Sequence, residues 1–416
     1  MNEKKLSITE NMLWNSFGSF LYLFSQWVLT VIIVHLSGYG DAGIFSLAMS
    51  LTNMFYCIAI YGIRNYQVSD IKNKYSDGIY ILSRIITCVA AFIFCAGFIV
   101  VNSYNSKTSL AIVLYMFFKI SEAIVDVFHG IDQKLWRMDV IGKSFIIRAF
   151  STFILFTVTL YLSENLCVSI AMMAIGAYFG IIVYDIPQSY KLENFNIELN
   201  FRFVNKLLCE CLPLVIYLFL STSLSTIPRY FLEKFYSNEV LGIYASIATP
   251  AVIVQVAASY FFNPFITLFA EKYNEHQLNE FVKLFKKCML VILLLSIVAI
   301  IGAKILGNFG LRLLFGESIL QYSYLLIPII ICTILTAIVW FLCTLLTVMR
   351  EFKGLIFSNV LAVLVCVVLS LTLIPQLSMN GVNIVMMISL GVEILCLSVF
   401  GILNLCHYNR NDRMNF

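Results

Sequence analysis

Apolar segments of about twenty residues recur along almost the whole 416-residue chain. A helix needs about 20 mostly apolar residues to cross the roughly 30 Å hydrocarbon core of a bilayer, so each segment is long enough to span a membrane. The composition agrees, because 61% of the residues are hydrophobic and only 12% are charged, against about 25% charged in soluble domains. The sequence therefore predicts an all-α polytopic membrane protein with about twelve transmembrane helices. We place these spans at residues 12–36, 42–63, 79–102, 108–129, 144–163, 166–187, 207–233, 239–264, 286–306, 319–349, 354–375 and 380–404.

Lysine and arginine are distributed unevenly between the loops on the two sides of these spans. One set of loops, with both termini, holds 21 of the 27 basic residues, Arg84 among them, and Lys119 lies inside the fourth span. Since loops rich in lysine and arginine stay in the cytoplasm, both termini are predicted to be cytoplasmic. The net charge of +4 reflects this loop bias and does not indicate a nucleic-acid partner.

The spans divide into two halves of six. We predict an N-terminal bundle at 1–187, a cytoplasmic linker at 188–206 and a C-terminal bundle at 207–416. A Gly-Ile-aromatic sequence at 43–45 corresponds to another at 242–244, each just after an external turn. A duplicated arrangement of this kind is typical of transporters, in which the substrate path lies between the halves.

Three ionisable residues, Lys119, Glu122 and Asp126, lie inside the fourth span. Their spacing of three and then four places them on one face of a helix. A charge near the bilayer centre costs roughly 2.5–3.5 kcal/mol on insertion scales, so this face is expected to meet protein or water rather than lipid. One interpretation is a salt bridge that neutralises itself within the helix. The favoured one is a polar path that contacts a substrate or a coupling ion.

Three arginines near the ends of spans are candidate substrate contacts: Arg64, Arg148 and Arg229. Arg64 and Arg148 lie near the predicted cytoplasmic side, where each is either an interfacial anchor or a phosphate contact. Arg229 follows Pro228 toward the external side, where basic residues are scarce, and this favours a cavity role. The planar guanidinium group is well suited to phosphate recognition.

Two acidic residues lie in or near later spans. Glu393 is near the middle of the twelfth span and is either a proton or cation site or a hydrogen-bonded structural residue. Asp185 lies near the end of the sixth span and is interpreted as an ordinary interfacial residue.

Signs of catalysis, metal binding or cofactor binding are absent from the sequence. The twelve cysteines are mostly single residues in apolar segments, and the four histidines are far apart, so no metal site is predicted. The string Gly38-Tyr-Gly-Asp-Ala-Gly43 fits a dinucleotide motif but follows an apolar span, so we interpret it as a tight turn. We predict no cofactor and no catalytic residue.

A run of polar residues from the fourth to the fifth span resembles the same region of bacterial Wzx-type flippases, which move O-antigen and capsule repeat units and belong to the MOP exporter superfamily. Supporting similarities lie at 61–70, 227–230 and 241–244, and the resemblance covers nearly the whole chain. The residues of the run are Lys119, Glu122, Asp126, Gly130, Gln133, Arg137, Asp139, Gly142, Ser144 and Arg148.

This resemblance implies a MATE-like fold of two pseudo-symmetric six-helix bundles around a central cavity. It implies a transporter in the bacterial cytoplasmic membrane that flips an undecaprenyl-pyrophosphate-linked oligosaccharide by alternating access, coupled to an ion gradient. Membrane lipid is an expected partner, as are the polysaccharide polymerase and the chain-length machinery. The substrate-binding candidates are then Lys119, Arg64, Arg148 and Arg229, and the ion-coupling candidates are Glu122, Asp126 and Glu393.

Three other functions remain open at this point. A drug exporter of the same superfamily would share the fold, but it would favour an acidic, aromatic cavity. A polysaccharide polymerase or ligase would carry a long external loop, and no such loop is predicted here. A lipid II flippase is a closer relative that usually has two more spans.

Overall fold

The computed structural model describes residues 7–70, 74–193, 199–262, 265–275 and 277–414, and these contain helices and no strand. Residues 194–198 of the predicted linker lie outside this description. The helices are α1 (Ile8–Ile60), α2 (Ile63–Ser69), α3 (Asp77–Asn102), α4 (Ser106–Lys134), α5 (Met138–Ser163), α6 (Leu166–Gly180), a π-helical turn (Ile181–Asp185), α7 (Ile186–Leu192), α8 (Phe201–Phe235), α9 (Asn238–Phe262), α10 (Ile266–Asn274), α11 (Leu278–Phe315), a 3-10 segment (Ser318–Leu325), α12 (Leu326–Val348) and α13 (Phe352–Met414). The chain forms two compact units, Met1–Thr222 and Ser223–Phe416.

The two longest helices are each bent once. α1 has 53 residues and α13 has 63, so at 1.5 Å per residue they measure about 80 and 95 Å, more than twice the thickness of a bilayer core. Gly38 (φ 82°) interrupts α1 and Ser378 (φ 51°) interrupts α13. Each helix therefore contains two of the predicted spans. The positive φ at Gly38 suits glycine, and it bends α1 at the position where the sequence predicts a tight turn.

Eight helices among the described residues are long and apolar enough to cross a membrane. α4, which carries the charged stripe, is not one of the eight. The all-α membrane fold is confirmed, while the number of twelve crossings stays a prediction.

α1 and α5 cross with their backbones in contact. A Cβ atom added to Gly18 would lie 2.3 Å from the carbonyl oxygen of Gly142, and one added to Gly142 would lie 2.3 Å from the carbonyl oxygen of Trp14. Small residues allow such an approach between membrane helices. Tyr22 and Arg148 lie just beyond the crossing, on α1 and α5, and both line the cavity described below.

Replacing Gly142 with alanine should therefore destabilise the protein. The new methyl group would clash with backbone atoms of Trp14, which cannot move aside as the end of a side chain can. Overpacking of this kind costs about 1–3 kcal/mol. Thermal unfolding in detergent measures the effect. Gly97→Ala on α3 is the matched control, because nothing lies within 4 Å of its Cβ position. Equal unfolding temperatures for the two variants would contradict the close crossing.

A two-residue joint separates α1 from α2. Tyr61 and Gly62 both have positive φ, 50° and 65°, and a Cβ atom on Gly62 would lie 2.4 Å from the Leu214 side chain. Glycine suits position 62 because of its positive φ, and a larger residue there would also have to displace the end of the Leu214 side chain. Arg64 follows in the first turn of α2.

Asp70 organises the connection from α2 to α3. Its carboxylate accepts hydrogen bonds from the backbone N–H groups of Lys74 (2.9 Å) and Tyr75 (3.1 Å) and from the Tyr80 hydroxyl (2.9 Å). Burial raises the pKa of Asp70, but these three donors outweigh burial, so the pKa lies below its ordinary value.

The lowered pKa of Asp70 predicts a pH dependence of stability. A carboxyl group whose pKa is lower in the folded state stabilises the fold above its unfolded pKa, about 3.9, and loses this contribution as the pH falls through the folded value. Asp70→Asn should therefore be less stable than the wild type at pH 7, with the difference shrinking below about pH 4. Unfolding in detergent between pH 2 and 7 measures this. Glu164→Gln, at an exposed position, should show no such convergence, and a constant difference for Asp70→Asn would mean that packing, not charge, is responsible.

In the second unit, α12 packs against α9 and α13. Hydrogen bonds between side chains connect α9 to α13, from Tyr244 to Asn383 (2.8 Å), and α10 to α13, from Tyr273 to Asn404 (2.8 Å). Glu393 lies on α13 and is fully buried.

Candidate functional site

A cavity of about 280 Å³ lies in the first unit among α1, α2, α4 and α5. Five of the seven predicted site residues line it, although their roles stay predictions. The lining residues are Ser19, Tyr22, Leu23, Tyr56, Arg64, Lys119, Glu122, Val125, Asp126, His129, Phe145 and Arg148.

The Glu122 carboxylate accepts hydrogen bonds from two side chains that also line the cavity, those of Lys119 and Tyr22. Lys119 Nζ donates to its carboxylate at 2.6 Å, and the Tyr22 hydroxyl donates to its other oxygen. The two charged side chains are each 13% exposed. The Lys119 ammonium also lies 5.2 Å from the centre of the Tyr56 ring, where a cation is attracted to the ring face. The i,i+3 salt bridge considered from the sequence is present, and it faces the cavity.

Asp126 joins two arginines. One carboxylate oxygen accepts from Arg64 at 3.2 Å and the other accepts from Arg84 at 2.7 Å. Arg64 also donates to Gln133 (2.8 Å), and Arg84 donates to the carbonyl oxygen of Ala59 (2.8 Å). The charge bias between the loops groups Arg84 with the loop residues, whereas the structure places its side chain at the site. Its side chain is 1% exposed inside α3, and its position within the third apolar segment was the available signal.

Arg148 is buried with unused donor capacity. It is 1% exposed, and its Nη2 donates to the Ser121 hydroxyl at 3.1 Å. Its Nη1 has no hydrogen-bond partner among the described residues. The guanidinium lies 5.9 Å from the centre of the Tyr22 ring. Because a guanidinium stays charged at all physiological pH values, a buried one with a free donor is matched to a negative group.

Cationic side chains outnumber carboxylates at this site. Three cations and two carboxylates line the cavity, so its lining has a formal charge of +1 when His129 is neutral. The lining cations are Arg64, Lys119 and Arg148, and the lining carboxylates are Glu122 and Asp126. The two carboxylates balance two of the three cations, so the lining is suited to an anion.

The other two predicted site residues belong to the second unit. Arg229 lies on α8 and is half-buried. Glu393 is fully buried on α13, and neither of its carboxylate oxygens has a hydrogen-bond partner in the part of the chain that the structure describes. Within that same part, no group of three histidine, cysteine, aspartate or glutamate side chains could hold a metal ion.

Comparison with known proteins gives one curated relative and several solved structures with the same fold. The chain is 25% identical over 374 residues to the capsular polysaccharide biosynthesis protein CapF of Staphylococcus aureus, a match that covers 89% of this chain and 93% of the relative. No protein-family model matches the chain.

Among solved structures, the lipid II flippase MurJ in an inward closed conformation matches with a TM-score of 0.74 and 12% identity, covering 98% of this chain and 93% of MurJ. An inward-facing multidrug resistance MATE transporter of the MOP superfamily matches with a TM-score of 0.71 and 10% identity, covering 97% and 99%. These likenesses show that the chain has the fold of MOP superfamily transporters and flippases. Together with CapF, they confirm the resemblance and the fold predicted from the sequence.

Proposed function

We propose that this protein is a flippase that moves an undecaprenyl-pyrophosphate-linked oligosaccharide across the bacterial cytoplasmic membrane for capsule or related polysaccharide biosynthesis. The observation that carries the proposal is the net positive cavity in which buried Arg148 has an unused donor. A pyrophosphate brings the negative charge and the acceptor oxygens that this arrangement lacks.

The physical requirements of flipping agree with such a cavity. Hydrocarbon cannot solvate a pyrophosphate, while a polyprenyl tail can remain in lipid, so the protein has to provide a polar route for the head group alone. The cavity of about 280 Å³ is near the lower limit of ligand pockets, about 300 Å³. It has room for the diphosphate, and the sugars would need space beyond it.

The relatives support the same substrate class. CapF is described as a capsular polysaccharide biosynthesis protein, and MurJ as a lipid II flippase. The MATE likeness keeps a drug exporter as the second candidate, but a cationic drug would meet net positive charge in this cavity. We place both termini in the cytoplasm and expect the polymerase and chain-length machinery to act on the product.

Ion coupling by alternating access belongs to the proposal, and Glu393 is the strongest of its three candidate residues. Glu122 and Asp126 each bind cationic side chains, which suits them to hold those cations in place. Glu393 is buried without a hydrogen-bond partner among the described residues, so it is best stabilised when a proton or another cation is bound.

Proteoliposomes that contain the purified protein test the function directly. A fluorescent undecaprenyl-pyrophosphate oligosaccharide should reach the opposite leaflet faster than in empty liposomes, and a pH gradient should change the rate. Lys119→Ala should reduce the rate, while Lys304→Ala, at an exposed lysine of the second unit, should not. Efflux of a cationic dye without flipping of any repeat unit would instead favour the drug exporter.

A further inference from the structure

A histidine and two aspartates lie buried beside the cavity, outside the residues assigned above to substrate or ion coupling. His129 on α4 lines the cavity. Its Nε2 is 3.0 Å from the hydroxyl of Ser144 and 3.8 Å from a carboxylate oxygen of Asp185. The side chains of His129 and Asp185 are each 2% exposed. Both side chains are therefore shielded from solvent, and His129 is the one of the two that lines the cavity.

Asp185 has no hydrogen-bond donor among the described residues. The 3.8 Å contact with His129 is close enough for an ion pair but too long for a hydrogen bond. A buried carboxylate in this state is stable when a proton neutralises it or when its partner is charged. Both arrangements require one proton within the pair. Asp185 was interpreted from the sequence as an interfacial residue, and the π-helical turn that it ends places it instead inside the protein.

Asp132 adds a second buried carboxylate, one turn beyond His129 on α4. One of its oxygens accepts from the Ser189 hydroxyl at 3.0 Å, and the other has no partner among the described residues. The negative charges of Asp132 and Asp185 repel each other. The cluster thus holds two carboxylates and one imidazole, and a single proton does not neutralise both acids.

The charged groups around the cluster come from each neighbouring element. Asp126 lies on α4, Arg64 on α2 and Arg137 at the start of α5, and each interacts electrostatically with a member of the cluster. The Tyr184 side chain in the π-helical turn also interacts electrostatically with Asp132 and Asp185. Arg64 is already bonded to Asp126 and Gln133, so it does not serve as an ion-pair partner for Asp185.

We propose that His129, Asp185 and Asp132 form a proton-binding site whose occupancy is coupled to the anion in the cavity. This inference rests on the proposed function and extends it to a proton carrier in the first unit. An anion next to His129 favours the protonated cluster, so the loaded protein takes up a proton from water onto the imidazole or a carboxylate. Release of the anion favours release of the proton. Such coupling is reciprocal, because each ligand changes the affinity for the other by the same factor.

The first test observes the site without any substrate. The chain has four histidines, so ¹⁵N-histidine NMR of the full protein in detergent should show a small set of signals, and His129→Gln assigns the one from His129. The His129 signal should change with pH, and Asp185→Asn should move the midpoint of that change by about one pH unit or more. Glu193→Gln, an exposed carboxylate that follows α7, should leave it in place. A His129 signal without pH dependence, or an unchanged midpoint in Asp185→Asn, overturns the proton site.

The second test measures coupling. Undecaprenyl pyrophosphate is added to the protein in a weakly buffered detergent solution with a pH indicator. We expect proton uptake in the wild type and in Glu193→Gln, and little or none in Asp185→Asn. Equal uptake in Asp185→Asn places the proton elsewhere and overturns the inference, and so does binding without uptake in the wild type. If the wild type does not bind this lipid at all, the proposed function fails, and the NMR titration alone decides whether the site takes up a proton.

Discussion

Replacing Arg148 with methionine is expected to weaken binding of undecaprenyl pyrophosphate about 10- to 100-fold while the protein remains as stable as the wild type or becomes more stable. A hydrogen bond to a charged group contributes about 1.5–3 kcal/mol, and each 1.4 kcal/mol is a factor of ten in affinity. The structure gives Arg148 only the Ser121 hydroxyl as a direct hydrogen-bond acceptor among the described residues. Its buried charge therefore costs stability in the absence of an anion, and an apolar side chain of similar length removes that cost.

Binding is measured with the purified protein in detergent, and stability is measured by thermal unfolding of the same samples. Lys304→Met is the control, because it removes an exposed positive charge from the second unit. Should Arg148→Met lose several kcal/mol of stability and bind the lipid normally, Arg148 is a structural counter-charge for Glu122 and not a substrate contact.

Removing the Asp126 carboxylate is expected to have the largest effect on stability. Asp126→Ala leaves Arg84, 1% exposed, without its carboxylate, and removing one partner of a buried ion pair typically costs 3–5 kcal/mol. Asp126 itself is 19% exposed, so solvent screening places the expected loss near the lower end, about 3 kcal/mol. Thermal or denaturant unfolding of the purified variant measures it.

A double variant separates the lost pair from lost packing. Arg84→Met combined with Asp126→Leu removes both charges, and most of the stability lost in Asp126→Ala should return. Lys107→Met is the control for an exposed ion pair, because Lys107 pairs with Asp41 and is half-exposed. It should change the free energy of unfolding by less than about 1 kcal/mol. A double variant that is no more stable than Asp126→Ala would show that the carboxylate acts through something other than Arg84.

The part of the site that could be predicted from the sequence is the part encoded in one helix. The spacing of Lys119, Glu122 and Asp126 is a local property, and the structure places all three on the cavity wall. Arg64 and Arg148 were found because a charge at the end of an apolar segment is conspicuous. Their assignment as anchors or ligands depends on neighbours that the sequence does not place beside them.

The residues that were missed are defined by distant contacts. Arg84 is paired with Asp126, 42 positions away, and Tyr22 donates to Glu122 from 100 positions away. A tyrosine in an apolar span gives no local sign of such a bond. Asp185 ends a π-helical turn and is buried beside His129, 3.8 Å away, and a regular helical period predicts neither feature.

The contact between Gly18 and Gly142 also limits how the first unit can move. With no side chain between the two backbones, sliding α1 past α5 would drive carbonyl oxygens into neighbouring atoms. We therefore expect the two helices, with Tyr22 and Arg148, to move together as one rigid unit. We expect the proposed transport to use a different hinge. The joint at Tyr61 and Gly62, where both residues have positive φ, lies directly before Arg64, so a rotation there would move Arg64 relative to α1 and α5.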